Sequence, residues 1–228
     1  MSQGTSPRGP LRAAVFASGS GSNFQSLLDA EAAGGADHPW RSVLLVTDRE
    51  EIGALERAER RGIATRIIPV AGRDPHEVGR ETVAALEEWG VEVVFLAGYL
   101  RLVPSAVVAR WKRRILNIHP ALLPSFGGKG MWGRHVHEAV LASGARITGP
   151  TVHFVDERYD EGTILAQWPV PVRPGDTPET LAARVLRTEH RLYPAAAAHL
   201  CRSLRAGGEP GPLDFPGDAF ASTESPGI

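Results

Sequence analysis

Between Leu11 and Ile118 the chain alternates short apolar segments with longer amphipathic ones, and this alternation restricts its fold more than any other feature. Each apolar segment is bounded by glycine, proline or charged residues, a pattern that predicts buried strands. The predicted strands cover residues 11–17, 41–47, 65–70, 92–97 and 114–118. Strands joined by helices form right-handed βαβ units. The sequence therefore predicts an α/β fold with a doubly wound, mostly parallel sheet.

The amphipathic segments between these strands predict the helices. They cover residues 24–33, 51–61, 75–89 and 103–113. The third is the best marked, because Pro75 falls in its first turn and Gly90 lies just past its end. After Pro120 the pattern changes to a helix at 134–143, strands at 146–155 and 163–172, and one or two closing helices over 178–204. We expect these later strands to form an antiparallel C-terminal extension of the sheet.

Length and composition indicate one domain with two tails. The chain has 228 residues, and glycine and proline are frequent at both ends. Segments of that composition bury too little apolar surface to offset the entropy lost on folding. We therefore predict a disordered N-terminal tail at residues 1–10, one domain at 11–204 and a Gly/Pro-rich C-terminal tail at 205–228.

Charge and cysteine content exclude several classes of function. With 25 Lys and Arg against 26 Asp and Glu, the formal net charge is −1, whereas nucleic-acid binding needs a basic surface. The single cysteine excludes an intramolecular disulfide framework and a cysteine-based zinc cluster. No segment approaches the roughly 18 consecutive apolar residues that cross a bilayer, and the N-terminus lacks a signal-peptide pattern. We expect a cytoplasmic protein, monomeric or homodimeric, whose partners are small molecules rather than nucleic acid or membrane.

Three polar loops, SGSGSN, AGYLRL and NIHP, each follow a predicted strand, so we expect them at one edge of the sheet, where such folds bind ligands. In the first loop, Gly19 and Gly21 permit a tight turn, and the helix that follows presents N–H groups to an anion. The loop lacks the lysine of a Walker A motif, and Phe24 stands at the third glycine of the dinucleotide fingerprint. The loop is either a site for a single phosphate or an ordinary turn with a Ser or Asn cap.

Three side chains near the later loops can carry acid–base chemistry. Asn117 and His119 alternate along a strand and so point to the same side, where an amide and an imidazole can donate to a developing oxyanion. Asp160, in the acidic segment between two strands, can fix a histidine tautomer or move protons. The alternatives are a strand end whose histidine caps a loop and an acidic loop that is simply solvated.

Two other features have simpler interpretations. His135 and His137 form a His-x-His pair, but a third ligand in motif spacing is missing, and positions i and i+2 of a helix face different ways. We interpret them as exposed or loop-anchoring histidines. Cys201 lies in the closing helix, where it is expected to pack in the core.

Six segments taken together resemble the folate-dependent formyltransferase family, from about Leu11 to about Leu204. They read SGSGSN, LAGYLRL, NIHPALLPSFGGKGM, HEAV, TVHFVDERYDEGTILAQ and RTEHRLYP. The NIHP-x-LLP motif with the downstream VHFV segment is typical of enzymes that use formyltetrahydrofolate. The GSGSN loop and the TEH segment indicate the ribonucleotide branch of the family. The resemblance implies a Rossmann-like formyltransferase fold.

The resemblance also implies a reaction. The formyl group of 10-formyltetrahydrofolate, a cosubstrate, would pass to the glycinamide amine of glycinamide ribonucleotide in purine biosynthesis, through a tetrahedral intermediate. Asn117, His119 and Asp160 match the family's catalytic residues. Asn117 and a protonated His119 would stabilise the oxyanion, while Asp160 would raise the pKa of His119 and help move the amine proton to the leaving nitrogen. No metal is required.

Binding residues carry over in the same way. The loop that holds the ribonucleotide phosphate is matched by Gly21, Ser22 and Asn23, and the acid that binds the ribose hydroxyls by Glu189. The folate-binding positions are matched by Arg101, Leu102, Val103, Asp156 and Asp160. Lys129 falls in the flexible loop that follows the catalytic strand.

The sequence departs from the family pattern at three points. Glu161 and Thr163 stand near Asp160 where the family commonly has a Gly-Pro pair, and the added carboxylate at Glu161 can shift local pKa values. Trp132 stands where Tyr or His is expected. The family's basic substrate contact does not align cleanly, and the candidates for it are Arg73 and His76.

Other functions on the same fold remain as alternatives. A formyltetrahydrofolate hydrolase would carry a regulatory domain ahead of the core, whereas only about ten residues precede the first strand. A formyltransferase acting on tRNA would need a basic RNA-binding domain after the core. A non-catalytic nucleotide-binding module is the third alternative, against which the three matched catalytic positions weigh.

Overall fold

Strands and helices alternate along the first half of the chain in the computed structural model, which describes residues 9–213. The strands are β1 (Leu11–Phe16), β2 (Trp40–Thr47), β3 (Ala64–Ile67), β4 (Val93–Leu96), β5 (Ile115–His119), β6 (Ile147–Thr148), β7 (Thr151–Phe154), β8 (Ile164–Gln167) and β9 (Val170–Pro171). The α-helices are α1 (Ser22–Gly34), α2 (Gly53–Arg60), α3 (Pro75–Glu88), α4 (Ser105–Arg110), α5 (Arg134–Ala142) and α6 (Pro178–Arg205). A short 3₁₀ helix, Gly35–Asp37, follows α1.

Seven of these strands form one sheet in the order β3-β2-β1-β4-β5-β7-β8. The pairs among β1 to β5 are all parallel. β7 then pairs antiparallel with both β5 and β8, while β6 and β9 form a separate antiparallel pair. The predicted doubly wound, mostly parallel sheet with an antiparallel C-terminal extension is therefore confirmed.

The strand order positions the site. From β1 the chain adds β2 and β3 on one side, then crosses to add β4 and β5 on the other, so the order reverses between β1 and β4. Ligands of doubly wound sheets bind in the crevice that opens at such a point, beyond the carboxyl ends of the strands. The loops after β1, β4 and β5 all emerge at that edge. They carry the polar segments SGSGSN, AGYLRL and NIHP named above.

Helices cover both faces of the sheet, as its apolar strands require, since all four residues of β4 are buried. On one face α1 and α6 pack against the sheet, with Phe24 and Tyr193 fully buried. On the other face α3 and α4 do so through Val78 and Val107. The Tyr193 hydroxyl lies 2.9 Å from the Leu96 carbonyl oxygen, which ties α6 to the end of β4.

Two predicted strands are interrupted. The segment 146–155 divides into β6 and β7 at Gly149, where φ is +143° and an added Cβ would overlap the Trp168 carbonyl oxygen. The segment 163–172 divides into β8 and β9 at Trp168, the residue whose backbone makes this contact with Gly149. β3 and α4 are also shorter than predicted, because Pro69 cannot extend the strand ladder and Pro104 holds an extended conformation before the helix.

The closing segment continues past the predicted domain boundary. α6 is a single helix that ends at Arg205, and residues 206–213 return along the domain. Leu213 N–H donates to the Leu165 carbonyl at 2.7 Å, and His199 Nε2 lies 2.9 Å from the Gly211 carbonyl oxygen. The rest of the predicted C-terminal tail, and most of the predicted N-terminal one, lie outside the described residues.

None of the helices described between residues 9 and 213 is long and apolar enough to cross a membrane.

Candidate active site

A cleft of about 950 Å³ opens at the carboxyl edge of the sheet. Its walls come from the loops after β4, β5 and β7 and the first half of α6. Of the residues predicted to form the site, the cleft is lined by Asn23, Arg101, Leu102, Val103, Asn117, His119, Asp156, Asp160 and Glu189. Gly21 and Ser22 lie outside the lining.

The last residues of β5 supply the floor of the cleft. Asn117 and His119 point to the same side of the strand, as predicted, and their cross-strand neighbours on β7 are His153 and Thr151. The Asn117 amide Nδ2 lies 3.0 Å from His153 Nε2, whose other nitrogen, Nδ1, lies 2.9 Å from the Phe154 carbonyl oxygen. Donation by Nδ1–H to that carbonyl leaves Nε2 as the acceptor for Asn117. His153 thus fixes the direction of the Asn117 amide.

Asp160 completes this cluster from the loop between β7 and β8. Its Oδ2 lies 3.5 Å from His119 Nδ1 and accepts from Gly128 N–H at 2.9 Å. Its Oδ1 lies 3.5 Å from both Asn117 Nδ2 and His153 Nε2. The residue has φ +57°, a left-handed conformation that is uncommon outside glycine, so the loop turns sharply to present the carboxylate.

The charge state of the cluster follows from these contacts. Burial raises the pKa of Asp160, but its contact with His153, the charge of His119 and the Gly128 N–H bring it below its ordinary value. Burial lowers the pKa of His119, and Asp160 and the Phe126 carbonyl oppose that shift without cancelling it. Asp160 does raise the pKa of His119, as predicted, but the net direction is downward because desolvation is the larger effect, and this disfavours the protonated ring that the resemblance implies.

His119 also differs from the expectation in what its nitrogens face. Nε2 lies 2.8 Å from the Phe126 carbonyl oxygen and Nδ1 lies 3.5 Å from Asp160, so both are directed at protein acceptors. With Nε2 donating to Phe126, a neutral ring would set the Nδ1 lone pair against the carboxylate. These two acceptors favour the protonated ring, whereas burial favours the neutral ring and is the larger effect. Donation by His119 to an oxyanion, which the resemblance implies, stays a prediction.

A second network shapes the wall opposite β5. Arg101 Nε donates to Asp48 Oδ2 at 2.7 Å, and Asp48 Oδ1 accepts from the Ser18 hydroxyl at 2.6 Å. The Ser18 oxygen in turn accepts from Leu100 N–H at 3.1 Å. Burial raises the pKa of Asp48, and the Ser18 and Arg101 hydrogen bonds bring it below its ordinary value. This ion pair fixes the loop after β4, which carries Leu102 and Val103.

The loop before α1 has the features of an anion site. Gly21 occupies the N-cap position with φ +73°, and the α1 N-cap makes no side-chain hydrogen bond. The first N–H groups of a helix have no partner within it, so those of Ser22 and Asn23 remain available. The alternative of an ordinary turn with a Ser or Asn cap therefore lacks its expected hydrogen bond.

Asn23 links that loop to α6. Its Nδ2 donates to Glu189 Oε2 at 2.5 Å, while its buried Oδ1 has no hydrogen-bond partner among the described residues. An unpaired buried acceptor is costly unless a ligand or water donates to it. Burial raises the pKa of Glu189 to about 7, although the Asn23 hydrogen bond opposes the shift. The pair thus offers acceptors to a ligand that carries hydroxyl groups.

Glu189 should make the protein less stable as pH rises. Between its ordinary pKa of 4.5 and about 7, the folded state keeps the proton that the unfolded state has lost, so the free energy of unfolding falls with pH. We expect the wild type to lose roughly 3 kcal/mol more than Glu189→Gln between pH 4 and pH 8. Urea unfolding at several pH values measures this. Glu88→Gln, which alters an exposed carboxylate of α3, is the control, and parallel curves for Glu189→Gln and wild type would contradict the assignment.

The loop after β5 closes one side of the cleft. Lys129 and Trp132 both line it, and Trp132 is 49% exposed and meets the His135 ring edge-on. His135 is exposed whereas His137 is buried, so the two face different ways, as predicted. Among residues 9–213 no group of three or more His, Cys, Asp or Glu side chains is placed to hold a metal ion.

The remaining candidates lie away from the cluster. Arg73 pairs with Glu81 at 2.8 Å, and neither Arg73 nor His76 lines the cleft. Glu161 pairs with Arg158 at 2.7 Å, and both side chains are largely exposed. Cys201 is fully buried, as predicted for a packing role.

Two residues that support the site, Asp48 in the second network and His153 in the cluster, were not among the predicted site residues. Asp48 directly follows β2 in the run VTDRE, and a carboxylate at the carboxyl end of a parallel strand is a signal that the sequence does contain. His153 lies within the TVHF segment, but its role depends on pairing with β5, which local pattern does not predict.

Fold and cleft together define a doubly wound α/β protein with its polar cluster in the crevice at the strand reversal. Residues 11–197 match the formyl transferase family, and the chain belongs to that family. It is 50% identical over 190 residues to a chloroplastic phosphoribosylglycinamide formyltransferase of Arabidopsis thaliana, covering 82% of this chain and 64% of the relative. The chain thus spans somewhat under two thirds of that relative's length.

Solved structures agree with this assignment. Glycinamide ribonucleotide transformylase 1 from Symbiobacterium toebii superposes with a TM-score of 0.78 at 38% identity, over 84% of this chain and 88% of that one. Phosphoribosylglycinamide formyltransferase from Brucella melitensis gives a TM-score of 0.76 at 42% identity, over 87% and 97% of the two chains.

Proposed function

We propose that this chain transfers the formyl group of 10-formyltetrahydrofolate to the glycinamide amine of glycinamide ribonucleotide, giving formylglycinamide ribonucleotide in purine biosynthesis. The observation that carries the proposal is the convergence of Asn117, His119 and Asp160 on the floor of one cleft. The names of the relatives and solved structures just described support the same reaction.

The two substrates enter from different sides of the cleft. The ribonucleotide phosphate binds at the N-terminus of α1, and its ribose hydroxyls donate to the acceptors of Asn23 and Glu189. The folate lies along the wall formed by Arg101, Leu102 and Val103, with Asp156 at its far side. This arrangement directs the amine and the formyl carbon toward the floor of the cleft, and holding them together supplies a proximity effect.

The cluster then performs the transfer. The neutral amine attacks the formyl carbon, a C–N bond forms and the carbonyl oxygen becomes an oxyanion. The Asn117 amide, directed by His153, donates to that oxygen. Asp160, ionised because its pKa is lowered, accepts a proton from the attacking nitrogen, and the proton passes to N10 as the C–N10 bond breaks. His119 acts through Asp160, because its ring lies 3.5 Å from the carboxylate and helps to hold it in position.

The direct test is an initial-rate assay of tetrahydrofolate release with each substrate alone and with both together. We expect release only when ribonucleotide and 10-formyltetrahydrofolate are both present. Release without ribonucleotide would indicate the hydrolase alternative. Ribonucleotide binding without any release would indicate the non-catalytic module. The cytoplasmic location and the monomeric or homodimeric state expected from the sequence stay predictions.

A further inference from the structure

Helix α2 packs directly against the loop that precedes α1. A Cβ on Gly21 would lie 2.9 Å from the Ala54 Cα, and a Cβ on Gly53 would lie 2.9 Å from the Ser20 carbonyl oxygen. Ala54 N–H also donates to the Gly19 carbonyl at 3.2 Å. Contacts this close leave no room for a side chain at either glycine, so the start of α2 fixes the path of the loop.

Arg57, one turn further along α2, bridges the two ends of this loop. Its Nε donates to the Ser20 carbonyl at 2.8 Å, and its Nη1 donates to the Gln25 side-chain oxygen at 3.0 Å. Gln25 is itself held by Asp29, to which its Nε2 donates at 2.8 Å. The planar guanidinium therefore connects the residue before the turn to the first turn of α1, a geometry that a lysine ammonium cannot reproduce.

Arg57 also keeps its charge uncompensated. Its neighbours Arg60 and Arg61 form ion pairs with Glu56 and Asp29, at 3.8 Å and 3.1 Å. Across residues 9–213, by contrast, Arg57 has no carboxylate within ion-pair distance, and its Cδ lies 3.2 Å from the position a Gly21 Cβ would take. A positive charge therefore lies behind the N-terminus of α1, where it adds to the helix dipole.

We propose that Arg57 is a positioning residue for the phosphate of the substrate: it holds the loop at residues 19–23 in its anion-binding conformation and places a positive charge behind it. The proposal rests on the proposed function, since it takes the loop to be a phosphate site. Arg57 does not line the cleft, so it acts through the loop and leaves the transfer step itself unchanged.

The test compares Arg57→Met with Arg57→Lys. Methionine keeps the apolar stem and removes both hydrogen bonds and the charge, so KM for glycinamide ribonucleotide should rise about tenfold or more. The values of kcat and of KM for 10-formyltetrahydrofolate should stay within about twofold, because the cluster at β5 is untouched. The inhibition constant of inorganic phosphate, competing with ribonucleotide, should rise by the same factor as KM. Lysine restores only the charge, so most of the rise in KM for ribonucleotide should remain in Arg57→Lys.

Two further variants guard against a folding artefact. Arg60→Met removes an exposed arginine on the same helix and should behave as wild type. Gln25→Ala removes the second anchor of Arg57 and should raise KM for ribonucleotide in the same direction. Circular dichroism and thermal unfolding verify the fold of each variant.

Several results would overturn the proposal. The first is an unchanged KM for ribonucleotide in Arg57→Met. The second is an equal rise in KM for both substrates. The third is a wild-type KM for ribonucleotide in Arg57→Lys, which would mean that the charge alone is responsible. Calorimetry with inorganic phosphate keeps the two proposals separate. If wild type binds phosphate more tightly than Arg57→Met but does not turn over, the proposed function fails and the role of Arg57 stands.

Discussion

Asp160→Asn should lower kcat by about 10²–10⁴-fold, the range typical for loss of a general acid–base group. Asparagine is nearly isosteric, but it cannot take up the proton that leaves the attacking amine. It also removes the negative charge opposite His119 Nδ1, which lies 3.5 Å away. KM for ribonucleotide should change by no more than a few fold, because the acceptors of Asn23 and Glu189 are unaffected. Steady-state kinetics with both substrates varied provides the measurement.

The neighbouring carboxylate is the matched control for that variant. Glu161 lies next to Asp160 but is paired with Arg158, and both side chains are largely exposed. Glu161→Gln should therefore retain wild-type kcat. A kcat for Asp160→Asn within fivefold of wild type, in a folded protein, would remove Asp160 from the proton-transfer step.

Asn117→Ala should lower kcat by about 10²–10³-fold, since it removes the donor to the oxyanion. The amide is held by His153, so its direction is set before substrate arrives, and such preorganised donors act mainly on the transition state. KM for both substrates should therefore change little. The same two-substrate kinetics measure the effect.

Asn117→Asp separates donation from packing. Aspartate fills the same volume, but when ionised it cannot donate, and it adds a charge that repels the oxyanion. We expect it to be at least as slow as Asn117→Ala. If Asn117→Asp kept near-wild-type activity while Asn117→Ala lost it, the amide would serve packing and not donation.

Much of the architecture could be predicted from local pattern. Four of the apolar segments before His119 became β1, β2, β4 and β5, because strands buried on both faces leave a run of apolar residues. The fifth became β3, a largely exposed strand at the edge of the sheet. The convergence of Asn117 and His119 also followed from sequence, since alternate residues of a strand share a side. The loop at Gly21 was recognisable because a tight turn before a helix requires glycine there.

The parts that were missed depend on contacts between distant segments. His153 reaches Asn117 only because β7 pairs antiparallel with β5, and nothing local to TVHF specifies that partner. The net lowering of the His119 pKa likewise depends on how deeply the surrounding loops bury the ring. Gly149 reads as part of a continuous strand, yet the approach of the Trp168 backbone turns the chain there.

The most direct test of the central claim follows the formyl carbon itself. Wild-type protein is incubated with ribonucleotide and 10-formyltetrahydrofolate labelled with ¹³C in the formyl group, and the products are resolved by mass spectrometry. We expect the label in formylglycinamide ribonucleotide, in amounts equal to the tetrahydrofolate released, with Asp160→Asn slowing both together. Recovery of the label as formate, at a rate independent of ribonucleotide, would contradict the proposed transfer.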